Sequence, residues 1–292
     1  MSAWFGNGGG CSGLIAPAGG RLVDLRAVGA EREALEAEAP ALPVVPLDRR
    51  AALELTLLAT GAYSPLDRFL GREERRRVTA ERRLEDGSFF PAPVTLAAPT
   101  DGLPITAGGR VALTGGDGRL LAVMTVDEAD RVAGRTYLAG RPRVLEVPID
   151  PRWRRFHWNP RESRECLERY GRSRVVAFAG DRAISTEELA AVSSDDDLLL
   201  LHPPATLDEP WLDERLAPLE ELARSRRGGA CLAILPWPRG GEGDDLLVRA
   251  LVHRNFGADH LLLSEDEPGL ALLERHAEDL GVTPLVGEGV AA

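Results

Sequence analysis

The spacing of apolar runs changes near residue 150, and this change constrains the fold more than any other feature of the chain. In the second half, short apolar runs alternate with segments of helical periodicity. The predicted strands are Val175–Phe178, Leu198–Leu201, 231–235, 260–263 and 282–286, and the predicted helices are 185–193, 211–225, 244–255 and 270–280. Such alternation predicts a parallel sheet with right-handed crossovers. Gly257 and Gly281 follow two of the helices, as glycine commonly does where a helix ends.

The first half carries short apolar segments separated by glycine and proline. Its predicted strands are 14–15, 21–25, 93–96, 110–113, 120–126 and 144–147, and its predicted helices are Arg49–Thr60 and 73–83. The residues from Gly115 to Gly118 lie between two of these strands and predict a hairpin turn. We therefore expect a mostly-β domain with helical insertions over 1–151 and an α/β domain with a parallel sheet over 152–292.

Composition argues against several classes of partner. The 292 residues carry a formal net charge of −11, which disfavours nucleic acid and anionic membranes. No apolar run approaches the ~18 residues of a membrane span, and the N-terminus lacks the pattern of a signal peptide. The cysteines Cys11, Cys166 and Cys231 are too widely spaced to indicate a disulfide framework or a metal site. We expect a cytoplasmic protein with no metal and no cofactor.

The segment 175–189 has the order strand, loop, helix that binds phosphates in many α/β proteins. Free N–H groups and the positive end of the helix dipole attract anions at such a corner. Here the corner contains Asp181, Glu187 and Glu188, and it has no histidine, lysine or glycine-rich loop. Carboxylates therefore occupy a position where an anion would otherwise bind.

Several segments, in order along nearly the whole chain, resemble motifs of the ATP sulfurylases (sulfate adenylyltransferases). The segment 53–71 is similar to the family's "LLATGAFSPLxGFM", and 83–96 is similar to its "RLxDGxxWPxPIxL". Further matches are 14–23 with "LIxPHGGxLV", 121–126 with "LAVLxV", Val175–Phe178 with the strand before the catalytic loop, and 235–236 and 254–258 with "LP" and "RKNYGA". The resemblance implies a PUA-like N-terminal β domain followed by a Rossmann-like nucleotidyltransferase domain. It also implies the family reaction, in which ATP and sulfate give adenosine 5′-phosphosulfate (APS) and pyrophosphate.

The catalytic loop departs from the family pattern. That pattern is Gln-Thr-Arg-Asn-Pro followed by His-x-x-His, in which the arginine binds sulfate and the histidines bind the ATP phosphates. Aligned without gaps, the sulfate arginine corresponds to Asp181, and the two histidines correspond to Ser185 and Glu188. A shift of one position would place Arg182 at the arginine but would recover no histidine. We therefore assign no catalytic residue and treat these four as degenerate motif positions.

Ser185 and Glu188 have the spacing of a capping box. The Ser185 hydroxyl can accept the N–H of Glu188, and the Glu188 carboxylate can accept the N–H of Ser185. The N–H groups that would meet a phosphate are then satisfied within the helix. A role for Glu188 as a base or a metal ligand is the alternative to this cap.

Other loops at the carboxyl ends of the strands also lack the family's basic residues. The family's threonine-lysine-proline turn corresponds to 206–208, its glycine-proline-arginine-glutamate helix start lies near 243–246, and its "GRDHAG" corresponds to 264–269. The acidic residues expected at this rim are Asp181, Asp208, Glu209, Glu242, Asp244, Asp245, Glu265, Asp266 and Glu267. Three residues, Arg182, Arg239 and His202, are expected to oppose them. Such a net negative rim disfavours two anionic substrates.

The weak candidates for nucleotide binding are His202, Thr206, Arg239 and Asn255. His202 ends a strand at the edge where ligands bind, although a structural role is the preferred interpretation. His253 and Arg254 lie late in a helix, where positive side chains interact favourably with the helix dipole. Cys231 opens a buried strand and is expected in the core.

Two charged clusters have alternative interpretations. The arginines of 75–77 and 82–83 form either a solvated helix face or a docking surface for an acidic partner. The acidic residues 265–267 form either a solvated loop or a site for Mg²⁺ or Ca²⁺, and the solvated loop is preferred because no ligand spacing recurs.

The sequence therefore indicates a divergent member of the family with a degenerate catalytic motif, and we expect it to lack the C-terminal part of full-length members. The favoured hypothesis is a non-catalytic paralogue with a regulatory or scaffolding role in sulfate activation. The alternatives are an enzyme with altered nucleotidyltransferase or metal-dependent chemistry and a weak sulfate adenylyltransferase. The expected assembly is a homo-oligomer or a complex with an intact sulfur-activation enzyme.

Overall fold

Two small sheets organise the first half of the chain. The computed structural model describes residues 13–98, 105–132, 134–171, 174–179, 184, 189, 193–194, 196–205, 212–226, 228–238 and 244–287. The helices of this half are α1 (Gly29–Glu38), α2 (Arg49–Thr60) and α3 (Arg72–Glu81). Its strands are β1 (Val44–Pro46), β2 (Leu96–Ala98), β3 (Arg110–Thr114), β4 (Leu120–Thr125), β5 (Glu128–Val132), β6 (Arg135–Ala139) and β7 (Pro142–Val144). One sheet has the order β1-β3-β4-β7, and the other has the order β2-β6-β5.

The hairpin and the first helix predicted for this half are confirmed. The N–H of Gly118 donates to the carbonyl of Gly115 at 2.9 Å, which closes the turn between the antiparallel strands β3 and β4. Gly118 has a φ of +79°, a conformation that glycine adopts without steric cost. The helix α2 has the predicted bounds, because the Asp48 carboxylate accepts the N–H of Ala51 at its start. Gly61 ends it in the left-handed conformation.

The strands predicted at 14–15 and 21–25 are wrong. The N–H of Leu25 donates to the carbonyl of Ala59 at 3.1 Å, and the carbonyl of Leu25 accepts from Val144 at 2.8 Å. The segment therefore crosses between α2 and β7 instead of following one neighbouring strand. By contrast, α1, β1, β5 and β6 lie outside the predicted elements. Polar residues dominate β5, so no apolar run marks it in the sequence.

The second half contains the predicted parallel sheet. Its helices are α4 (Pro160–Glu168), α5 (Leu212–Ser225), α6 (Asp245–Phe256), α7 (Leu270–Arg275) and α8 (Ala277–Leu280). Its strands are β8 (Val175–Phe178), β9 (Leu198–Leu201), β10 (Pro204–Ala205), β11 (Ala230–Leu232), β12 (Leu235–Pro236), β13 (His260–Ser264) and β14 (Thr283–Gly287). Five strands pair in parallel in the order β11-β9-β8-β13-β14, and β10 pairs separately with β12.

Three predicted elements of this half differ in detail. The strand predicted at 231–235 is divided between β11 and β12, which belong to different sheets. The helix predicted at 270–280 is interrupted at His276, whose φ of −112° and ψ of 13° are not helical. The helix predicted at 185–193 lies largely outside the described residues.

The helix α6 lies between the parallel sheet and the first half of the chain. Every residue of α6 except Arg254 is buried. The fully buried side chain of Asn255 accepts the N–H of Ala18 and donates to the carbonyls of Ala62 and Ser64, each at 2.9 Å. These three bonds connect the two halves through one amide group. The division of the chain into one domain over 1–151 and a second over 152–292 stays a prediction.

Candidate functional site

The carboxyl ends of β8, β9 and β13 lie at one edge of the parallel sheet. Ligands of open α/β sheets bind at this edge. The residues described there are His202 directly after β9, Glu265 to Glu267 after β13, and the first turns of α6; we call this group the carboxyl edge. The segment that follows β8 in the sequence contains Asp181, Arg182, Ser185 and Glu188. These residues lie outside the described residues, as do Thr206 and Arg239. Their roles stay predictions.

Within the carboxyl edge, His202 is packed against aromatic side chains. It is fully buried, and its ring centroid lies 4.3 Å from that of Phe256 and 5.1 Å from that of His253. Among the described residues, neither ring nitrogen of His202 has a hydrogen-bond partner. Burial, and then the neighbouring His253, lowers the pKa of His202 well below its usual value, so the imidazole is neutral at physiological pH. A nucleotide-binding role for His202 stays a prediction.

His253 does not carry the positive charge that its place late in α6 indicated. The side chain is fully buried, and burial followed by the nearby Arg249 lowers its pKa to about 3. The imidazole is therefore neutral at physiological pH and cannot act on the helix dipole as a cation, so that expectation is wrong. Desolvation outweighs the attraction of the helix end, which is worth at most ~2 kcal/mol.

The guanidinium of Arg249 lies at the carboxyl edge between two carboxylates of the chain itself. One amino group contacts Glu267, and the Nε lies 3.6 Å from the carboxylate of Asp245, one turn earlier in α6. All three side chains are at most 17% exposed, so solvent screens these contacts weakly. The Arg249 cation is thus already neutralised within the protein.

Two arginines that the sequence analysis did not expect form ion pairs with carboxylates of the acidic rim. Arg249 binds Asp245 and Glu267, and Arg82 of the first half donates to Asp244 at 2.8 Å. Neither arginine was among the three basic residues expected there. The exposed residues Glu265 and Asp266 complete the described part of the rim, which holds five carboxylates and two guanidinium groups. The described rim therefore remains negative, although less so than the sequence indicated.

Asn255 and Arg254 hold segments together instead of facing the carboxyl edge. The three hydrogen bonds of Asn255 go to Ala18, Ala62 and Ser64 of the first half. Arg254 donates to the carbonyl of Ala16 at 3.0 Å and to that of Leu280 at 2.8 Å. A nucleotide-binding role for Asn255 stays a prediction, and its buried bonds give it a structural role in the fold.

The arginine cluster around α3 binds carboxylates of the same chain. The ion pairs are Arg72 and Arg75 with Asp130, Arg76 with Glu73, Arg82 with Asp244, and Arg83 with Asp279. The partners of Arg82 and Arg83 belong to the second half of the chain. Most of this positive charge is therefore used within the protein, which argues against the docking surface for an acidic partner.

Several cavities among the described residues lie away from the carboxyl edge. One of about 140 Å³ lies between the halves and is lined in part by Thr56, His157, Trp158 and Phe256. Another of about 570 Å³ lies in the first half near Asp48. Among the described residues, no group of three or more histidine, cysteine or acidic side chains could hold a metal ion. No helix in the described part of the chain is long and apolar enough to cross a membrane.

Comparisons with known proteins agree with this architecture. A model of the PUA-like domain matches residues 15–137. A hexameric APS kinase from Thiobacillus denitrificans, known as a solved structure, is similar with a TM-score of 0.81 and 33% identity over 94% of this chain. The fold is thus a PUA-like domain followed by an α/β domain with a parallel, Rossmann-like sheet. The chain covers 56% of that solved chain.

Curated relatives establish the family. The sulfate adenylyltransferase of Symbiobacterium thermophilum is 31% identical over 93% of this chain and 80% of its own length. A probable bifunctional SAT/APS kinase 2 of Sorangium cellulosum is 30% identical over 89% of this chain and 51% of its own length. The chain belongs to the sulfate adenylyltransferase family, and it spans about half the length of the Sorangium relative.

Proposed function

We propose that this chain is a non-catalytic member of the sulfate adenylyltransferase family that serves a regulatory or scaffolding role in sulfate activation. The observation that carries the proposal is the state of the basic groups at the carboxyl edge and of His253, which packs against His202. Arg249 is held by Asp245 and Glu267, and the imidazoles of His202 and His253 are buried and neutral. In this group of described residues, the basic side chains are paired with carboxylates of the chain or uncharged.

Basic groups that are neutral or already paired can do little to bind ATP and sulfate or to stabilise the transition state of adenylyl transfer. ATP and sulfate are both anions, and each lost charge-assisted contact removes about 1.5–3 kcal/mol. Loss of one group that stabilises charge in a transition state lowers the rate by ~10²–10³. The sequence of the loop after β8, with Asp181, Ser185 and Glu188 at the family's arginine and histidine positions, adds three such losses.

A pyrophosphate-release assay with ATP, Mg²⁺ and sulfate tests the proposal. The sulfate adenylyltransferase of Symbiobacterium thermophilum, assayed in parallel, shows that the conditions support the reaction. We expect sulfate-dependent release from that enzyme and none above background from this chain. Sulfate-dependent release above background from this chain, in proportion to its concentration, would contradict the proposal.

A scaffolding role requires assembly, and we infer that the chain is oligomeric. The support is the solved relative from Thiobacillus denitrificans, which is named as a hexamer. Size-exclusion chromatography with light scattering measures the mass of the assembly directly. A multiple of 31.5 kDa is expected, and a strictly monomeric chain at micromolar concentration would refute the inference.

A further inference from the structure

Two cysteines that are 65 positions apart in the sequence meet in the fold. Cys166 lies on α4 and Cys231 lies on β11, two elements in contact, and Cys166 packs against the core cluster that contains Cys231. Cys231 is only 1% exposed and belongs to the hydrophobic core, whereas Cys166 is half-buried at the edge of that core. Their wide separation in the sequence gave no sign of this contact.

The surroundings of the two thiols differ in a way that separates their reactivity. The Cys231 thiol donates to Cys166, and together with the charge of Arg169 it lowers the pKa of Cys166 to about 7. The same contact and burial raise the pKa of Cys231. Cys166 is thus substantially thiolate at neutral pH and reaches solvent, while Cys231 is a protonated thiol beside it.

The side chain of Tyr170 lies beside both thiols. Burial raises the pKa of the Tyr170 phenol, and the nearby Cys231 and Cys166 raise it further. Its ring lies 2.4 Å from the position that a Cβ on Gly229 would occupy, so glycine at 229 leaves the space for this ring. Tyr170 is 44% exposed, so its ring covers the two thiols only in part. A small reagent can therefore reach the half-buried Cys166.

We propose that Cys166 and Cys231 are a redox modification site that forms a reversible disulfide by exchange with a low-molecular-weight disulfide. The Cys166 thiolate attacks one sulfur of the reagent, a mixed disulfide forms, and one thiolate leaves. Cys231 loses its proton to solvent, its sulfur attacks that of Cys166, and the second thiolate leaves. The two protein thiols are oxidised by two electrons, and the reagent is reduced to two thiols.

The disulfide would fix a helix that links the two halves of the chain. On α4, Ser163 donates to the carbonyl of Phe256 at 3.1 Å, and Arg164 contacts the carbonyl of Ile15. Bonding requires the two sulfurs to approach to ~2.0 Å and the two Cα atoms to lie within ~7 Å of each other. Closing a loop of 65 residues raises Tm by on the order of 5 °C.

Oxidised glutathione applied to the purified full chain tests the proposal. Remaining thiols are alkylated, and the digest is analysed by mass spectrometry with and without dithiothreitol. We expect a Cys166–Cys231 linked peptide that dithiothreitol removes, together with a raised Tm. The variant Cys11→Ser keeps both effects, and Cys166→Ser loses both.

Either of two results would overturn the proposal. One is glutathione retained on Cys166 while Cys231 stays reduced and is alkylated after denaturation. The other is a disulfide that includes Cys11 in place of Cys231. Cys166 is half-buried, so Cys166→Ser is expected to fold, and Cys231→Ala provides a second variant that removes the bridge without leaving a polar group in the core.

Discussion

The buried imidazole of His253 predicts a specific loss of stability in mild acid. The unfolded chain binds a proton at the ordinary histidine pKa of 6.5, whereas the folded protein binds it only at about 3. Because the folded pKa is lowered, this histidine costs no stability above pH 6.5, and stability falls as the pH decreases from 6.5 towards 3. At pH 5 the difference of 1.5 pH units amounts to about 2 kcal/mol.

Urea unfolding at pH 7, 6 and 5 measures this loss. The change in unfolding free energy between pH 7 and pH 5 is expected to be about 2 kcal/mol smaller in His253→Leu than in the wild type. Val252→Ala, a buried neighbour on α6, is the control, since it destabilises the protein and keeps the imidazole. If the free energy of unfolding depended equally on pH in the wild type and in His253→Leu, the reasoning would be refuted. It would also be refuted if Val252→Ala lost the pH dependence of the wild type.

Three further perturbations test other parts of the structure. Asn255→Ala leaves three buried backbone groups unpaired and is expected to lower the free energy of unfolding in urea by about 3 kcal/mol. The control Asn159→Ala removes only a helix cap and is expected to lower it by about 1 kcal/mol. Arg249→Met leaves two carboxylates without their cation and is expected to cost about 3 kcal/mol at pH 7. Alkylation of Cys166 is expected to accelerate with a midpoint near pH 7, and Cys231→Ala raises that midpoint.

Each of these three predictions has a distinct contradicting result. Equal losses in Asn255→Ala and Asn159→Ala would mean that the amide does not hold the two halves together. An unchanged unfolding free energy in Arg249→Met would mean that the carboxylates do not depend on the guanidinium. A midpoint for Cys166 near the ordinary cysteine value, unaffected by Cys231→Ala, would mean that the thiols are not hydrogen-bonded.

The sequence predicted correctly those helices and strands whose signals lie within a few neighbouring residues. The helix Arg49–Thr60 has an Asp48 cap and a glycine after its end, and both signals are visible in the sequence. The alternation of strands and helices predicted the parallel sheet, since the period of apolar residues reports directly on secondary structure. The errors at 14–15 and 21–25 arose because short apolar runs pack against a helix as readily as they pair in a sheet.

The charge state of the site could not be predicted in the same way. Arg82 and Asp244 are 162 positions apart, and nothing in their local sequence indicates that they form an ion pair. His253 appeared to be a helix-end cation, because the sequence does not reveal that both faces of α6 are covered. The contact of Cys166 with Cys231 likewise depends on the packing of α4 against β11. Tertiary burial, more than residue type, decides which of these groups carry charge.

The reverse reaction tests the central claim most directly. Incubation of the purified chain with APS, pyrophosphate and Mg²⁺, with ATP detected by luciferase light, measures whether any adenylyl transfer survives. The account predicts no ATP above the level of a sample without the protein, while the Symbiobacterium thermophilum sulfate adenylyltransferase gives a strong signal. ATP formation that increases in proportion to the concentration of this chain, and that requires both APS and pyrophosphate, would contradict it.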